Sequence, residues 1–163
     1  MSESRGTRWL DAEQQASWRA FVVGLTLLLD RLDADLQHEF NLSLTEYEIL
    51  VRLSERPERS MRMAQLADSL AHSRSRVTHT VARMQKAGLV VRSTSPEDGR
   101  GIVCTLTDRG QALLVEAAPV HVHGVRDYLV DLATAEDFAA LGRVMNAVSD
   151  RLVEGHPEAD IRP

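Results

Sequence analysis

The run from Ser73 to Arg83, Ser-Arg-Ser-Arg-Val-Thr-His-Thr-Val-Ala-Arg, gathers guanidinium, hydroxyl and imidazole groups, and no acidic residue occurs between Ser69 and Arg92. These are the groups that hydrogen-bond phosphate oxygens and base edges. Val77, Val81 and Met84 recur at i, i+4 and i+7. That spacing turns one helical face inward and leaves Arg74, Ser75, Arg76, Thr78, His79 and Arg83 on or near the outer arc. A helix that merely faces water is expected to mix glutamate into such an arc. A solvated charged face is the plainer account of the same residues.

Other reactive side chains carry weaker spacing. Cys104 is the single cysteine, so no internal disulfide forms, and the residue fits a reducing compartment. With no second thiol to resolve an oxidised one, it makes a poor redox sensor. His121 and His123 stand at i, i+2, which points two helical imidazoles in nearly opposite directions. Shared metal ligation wants i, i+3 or i, i+4, so even with His38-Glu39 nearby no metal site is expected. No G-x-S-x-G, H-E-x-x-H or Gly-rich strand-to-helix turn occurs, and no enzyme activity or cofactor is expected.

The formal charge of −5 looks wrong for a chain that holds a polyanion, but the average hides an asymmetry. Residues 59–109 carry nine basic side chains, Arg62 among them, against four acidic ones. That segment is therefore +5 and its flanks together −10. A basic island in an acidic frame is the electrostatic footprint of a nucleic-acid partner. Hydrophobic residues make up 44% and aromatics 4%, so Leu, Val and Ala must build the core, which favours helices over a β-sandwich. No apolar run approaches the ~20 residues that cross a bilayer. The N-terminus lacks the basic-then-apolar layout of a secretory leader, so a cytoplasmic protein without membrane contact is expected.

The elements that position the basic run follow from periodicity. Trp18, Phe21, Val22, Leu25, Leu28, Leu29, Leu32 and Leu36 trace one face of a long helix from about Asp11 to Phe40. A helix of that length cannot bury its whole stripe on one small domain, so a second chain is its natural cover. Thr45-Glu46-Tyr47-Glu48 has the form of a capping box, and the helix it opens closes near Glu55 before Pro57. A short helix over Met63–Leu70 precedes the basic helix, which Ser73 caps and Gly88 terminates. Leu89–Ser93 and Ile102–Leu106 read as two strands around the turn Pro96-Glu97-Asp98-Gly99-Arg100-Gly101. Thr107 caps a helix that runs to about Leu132 with a bend at Pro119, and Thr134 starts the last one. Short helix, tight turn, second helix and hairpin, in that order, make a winged helix-turn-helix. A helix fits the major groove of duplex DNA.

The sequence resembles the MarR family of bacterial winged-helix regulators from about Trp18 to Leu152. The most specific piece is the wing: Asp98-Gly99-Arg100, five residues, then Leu106-Thr107 and Gly110. Supporting pieces are Leu44-Thr45, Met63-x2-Leu66-Ala67, Ser73-Arg74-Ser75 and Gly88-Leu89-Val90. The resemblance implies a mainly α fold with a small β-hairpin wing, the winged helix-turn-helix core flanked by N- and C-terminal dimerisation helices. Residues 41–107 form the DNA-binding lobe, 9–40 and 108–154 the dimerisation helices, and 1–8 and 155–163 flexible tails, all in one compact domain.

The implied function is a homodimeric, sequence-specific regulator of transcription, usually a repressor, that binds a palindromic operator in double-stranded DNA. Arg100 resembles a wing-tip arginine that enters the minor groove, with Asp98 holding its guanidinium; the alternative is that the pair only staples the wing. Arg76, Thr78 and His79 are the candidates for base contact. Ser73, Arg74, Ser75 and Arg83 are the candidates for phosphate contact, and Arg62 joins the interface. The family's small aromatic or anionic effectors point to Trp18, Arg19, Val22, Tyr47 and Leu50 as cavity residues; ordinary core is the alternative for Trp18 and Tyr47. The rival to DNA binding is a winged-helix adaptor that binds protein.

Overall fold

The computed structural model describes residues 6–95, 99 and 101–153. Six helices and a three-stranded sheet follow one another among them. They are α1 (Ala12–Phe40), α2 (Leu44–Ser54), β1 (Ser60–Arg62), α3 (Met63–Ser69), α4 (Arg74–Lys86), β2 (Val90–Thr94), β3 (Ile102–Leu106), α5 (Asp108–Tyr128) and α6 (Ala135–Val153). Short 3₁₀ turns occupy Pro57–Arg59 and Val130–Leu132. The expected tails fall largely on residues outside the described ones.

Local chemistry accounts for the helix boundaries. Asp11 accepts from the Gln14 N–H while the Gln14 side chain accepts from the Asp11 N–H, which caps α1 reciprocally. Asn41 ends it in a left-handed conformation, φ 51°, with its N–H on the Gln37 carbonyl. The capping box of α2 lies two residues before the Thr45–Glu48 pair expected from sequence. Ser43 is the cap, its hydroxyl accepting from the Glu46 N–H and its own N–H donating to Glu46 Oε2 at 2.9 Å. Thr45 already lies inside the helix because Leu42 is buried beneath it and Asp33 accepts the Leu44 N–H at 2.8 Å.

Three further boundaries differ from expectation. The residues Ser60–Arg62 form β1, a strand no local pattern announces, which pairs antiparallel with β3 (Met61 opposite Cys104) and gives the sheet order β1-β3-β2. The hairpin strand β2 sits one residue later than expected, with Val90 opposite Leu106. Helix α5 stops at Tyr128, and the Leu129 backbone departs from helical geometry before the 3₁₀ turn; Pro119 sits inside α5 without ending it.

One core joins Leu36 of α1, Ile49, Leu50 and Leu53 of α2, Leu66 of α3, Val77, Val81 and Met84 of α4, and Val90 and Cys104 of the sheet, all buried. α5 leans on this core through Leu114 and Ala117. Its far end meets α1 where the Tyr128 hydroxyl donates to Asp35 at 3.0 Å and Gly124 packs on Leu32. Beyond Leu32 towards its N-terminus, α1 has no buried residue, and α6 has none at all.

Candidate nucleic-acid interface

The basic helix is held by its neighbours at both ends. At its start, Ala71 turns the chain from α3 in a left-handed conformation, φ 51°, and the Ser73 hydroxyl accepts from the Arg76 N–H at 3.3 Å. At its finish, Gly88 takes φ 75°; the Leu89 N–H reaches the Met84 carbonyl and the Gly88 N–H the Gln85 carbonyl, both at 3.0 Å. This paired closure satisfies the last carbonyls of α4 and aims the chain into β2. Thr107 then ties the exit down, since its hydroxyl donates to the Gly88 carbonyl at 2.7 Å and accepts from the Gly110 N–H at 3.0 Å. A Cβ at Gly110 would overlap the Leu89 carbonyl oxygen. The Leu106-Thr107-x2-Gly110 part of the wing motif is therefore a joint between the reading helix and α5.

Around α4, with Val77, Thr80, Val81 and Met84 buried, the remaining side chains fall into three sectors. Ser75, His79 and Lys86 form the stripe opposite the core, all exposed. Arg76 and Arg83 occupy the flank facing α2, where Arg76 Nη2 donates to Thr45 Oγ1 at 3.4 Å and Arg83 Nη2 to Glu46 Oε1 at 3.1 Å. Arg74, Thr78 and Gln85 occupy the flank facing the wing, where Gln85 Oε1 accepts from Arg92 Nε at 2.7 Å. The Thr78 hydroxyl donates to the Arg74 carbonyl at 2.7 Å, which leaves its oxygen facing outward as an acceptor.

Of the residues expected at this interface, Ser73, Arg74, Ser75, Arg76, Thr78, His79 and Arg83 share one exposed surface. Arg62 reaches it from β1, with its guanidinium 2.9 Å from where a Cβ on Gly101 would stand, so it lies over the base of the wing. Asp98 and Arg100 lie outside the described residues. The loop around them closes through Ser95 N–H to Gly101 O at 2.7 Å and Gly99 N–H to Ser95 O at 3.0 Å. Sequence reasoning missed Lys86, which continues the Ser75–His79 stripe and could have been found from helical spacing. It also missed Arg92 and Gln85, which only the fold brings together.

The effector candidates divide. Tyr47 lines a cavity of about 450 Å³ with Glu48, Val51, Arg52, Ser69, Leu70 and His121. Its ring lies 4.5 Å from that of His121, whose Nδ1 is buried without a hydrogen-bond partner. Burial lowers the His121 pKa and raises that of Glu48 against the opposing pull of Arg52 and Arg76. Leu50 is buried in the core, while Trp18, Arg19 and Val22 are exposed on the uncovered half of α1, where Trp18 stacks on Phe21. A single chain does not bring these five residues together. Cys104 is buried and its thiol is pushed up to about 12, so it carries little thiolate at neutral pH.

Comparisons with known proteins follow the same outline. The MarR family model matches residues 40–101. The HTH-type transcriptional regulator PecS of Dickeya dadantii is 31% identical over 124 residues, 74% of this chain and 75% of that protein. Sco3205, a MarR family transcriptional regulator from Streptomyces coelicolor solved in complex with DNA, is 41% identical with a TM-score of 0.89, covering 96% of this chain and 97% of that one. AbsC, from the same organism and family, is 38% identical with a TM-score of 0.85 over 90% of this chain and 98% of that one.

Proposed function

The chain belongs to the MarR family of transcriptional regulators, and from that premise we propose that it binds duplex DNA as a homodimer and represses from a palindromic operator. The observation that carries this reading is the outer side of α4, where Ser75, His79 and Lys86 stand exposed between two arginine-bearing flanks. Arg74 is exposed at the first turn of α4, where a phosphate could reach it. Sco3205 was solved with DNA, and its fold superposes over nearly all of this chain.

The dimer is supported by what the chain leaves bare. Trp18, Val22, Leu25 and Leu29 form an exposed stripe on α1, and Phe138, Val148 and Leu152 one on α6. Burying such stripes yields roughly 25 cal/mol per Å², which a second copy supplies to both partners at once. Two reading helices related by a two-fold axis address half-sites about 10 base pairs apart. An effector of small aromatic or anionic type is the second part of the reading. We place it at the Tyr47–His121 cavity, with Trp18, Arg19 and Val22 brought near only through dimerisation. No described helix is long and apolar enough to cross a membrane; the reading places this regulator in the cytoplasm, acting without catalysis.

Fluorescence anisotropy of a labelled duplex from the protein's own promoter region, across a salt series, tests the central point. Phosphate neutralisation gives log affinity falling linearly with log salt, with a slope of about −0.9 per phosphate contact. A flat response would turn the assignment towards a protein-binding adaptor.

A further inference from the structure

We propose that Arg83 is a positioning residue, and that its ion pair with Glu46 sets the tilt of the reading helix without touching a phosphate. The inference rests on the DNA-binding reading above. It assigns Arg83 differently from the other basic residues of α4.

Glu46 is unusually committed. One carboxylate oxygen takes two hydrogen bonds from Ser43, from its N–H at 2.9 Å and its hydroxyl at 3.0 Å, which completes the α2 cap. The other oxygen takes Arg83 Nη2 at 3.1 Å. The Glu46 side chain is only 13% exposed, against 66% for Arg83. A carboxylate so nearly enclosed depends on its partners, so loss of the guanidinium costs more than the loss of an exposed pair. The geometry also gives Arg83 an orientation. It sits two turns beyond Arg76 on the same flank, and both reach α2, at Glu46 and Thr45. On the opposite flank Gln85 holds Arg92 of the wing at 2.7 Å. The helix is thus braced from both sides, and the stripe of Ser75, His79 and Lys86 between the braces is what faces outward.

Glu46→Gln separates the two roles by sign. Glutamine still accepts the Ser43 N–H, since Gln serves at this position of a capping box as well as Glu does. The charge that holds Arg83 is gone. If Arg83 were a phosphate contact restrained by Glu46, freeing it would tighten binding and steepen the salt dependence. As a brace, its release weakens binding to the promoter duplex by about fivefold, the upper scale of a surface pair, and leaves the salt slope unchanged.

The second measurement is a comparison of Arg83→Ala with Arg74→Ala in the same titration. Arg74→Ala should reduce the slope by about 0.9, one phosphate contact. Arg83→Ala should lower affinity with the wild-type slope retained. Urea unfolding of each variant shows that the lobe is intact. Tighter binding by Glu46→Gln, or a slope reduced by about one in Arg83→Ala, overturns the proposal. A wild-type protein with no salt-sensitive affinity at all instead defeats the DNA-binding reading on which it stands.

Discussion

The lobe built from α2, α3, α4 and the sheet and the outer parts of α1 and α6 obey different rules. In the lobe each helix hides its apolar face on its own chain: Ile49, Leu50, Leu53, Leu66, Val77, Val81 and Met84 are all buried. In the outer helices apolar residues of similar size, Leu25, Leu29, Val148 and Leu152, face outward. The same hydrophobic periodicity therefore encodes a core in one region and an interface in the other, and only the chain's own fold tells them apart. The largest effect should come from attacking that contrast. A Leu25→Glu change places a charge on the bare α1 stripe, where it costs a single chain nothing. In a dimer it would be desolvated, so the variant should sediment as a monomer. Operator affinity should fall by ~100-fold or more once two half-sites are no longer bound together. Light scattering and anisotropy measure the two results, and a variant that stays dimeric breaks the comparison.

Between the two regions lies the joint at Gly110. Its backbone approaches the Leu89 carbonyl so closely that a Cβ would overlap the oxygen, and it would stand 2.6 Å from Leu106 Cδ1. The carbonyl belongs to the exit of α4, which Thr107 also grips, so neither neighbour can yield without moving the reading helix. Gly110→Ala should destabilise the lobe by about 2–4 kcal/mol in urea unfolding, the scale of overpacking against backbone. An alanine that is tolerated would mean the two regions are joined less rigidly than the distances imply.

Much of this is legible in the sequence, because local patterns carry it. Val77, Val81 and Met84 mark the buried side of α4, Ser73 and Thr107 its cap and the next one, and Ile102–Leu106 the returning strand. The α2 cap is harder to place, because Thr45–Glu48 and Ser43–Glu46 both fit the same motif. What chooses between them is the end of α1 at Asn41 and the burial of Leu42. Strand β1 is not legible: three residues gain their identity from β3, more than forty positions later. The same holds within the site. The outer residues of α4 follow from spacing, Lys86 included, but the pairings Arg83–Glu46, Arg92–Gln85 and Tyr47–His121 cross between elements and leave no local trace. Asp98 and Arg100 rest on the resemblance alone.

His121 gives the smallest test and the one that probes how firmly α5 is seated on the lobe. Its ring is held against Tyr47 with Nδ1 buried and unpaired, and burial holds its pKa below the ordinary histidine value. The unfolded chain therefore takes up a proton, as pH falls through about 6.5, that the folded chain resists. The histidine thus contributes stability that is present above that value and lost as pH falls towards and through the lowered pKa. His72 shifts in the same direction, from burial and the neighbouring Arg76, whereas Glu48, raised by burial, works in the opposite sense at lower pH. His121→Phe isolates one contribution, since phenylalanine keeps the ring on Tyr47 and has no proton to bind. Urea unfolding across a pH series from about 8 down to about 5, which brackets the ordinary histidine range, should show the wild type losing stability towards the acid end more steeply than the variant. Parallel curves would mean that α5 admits water and a proton at His121 in the folded protein. The seam between the lobe and the outer helices would then be looser than the core on either side.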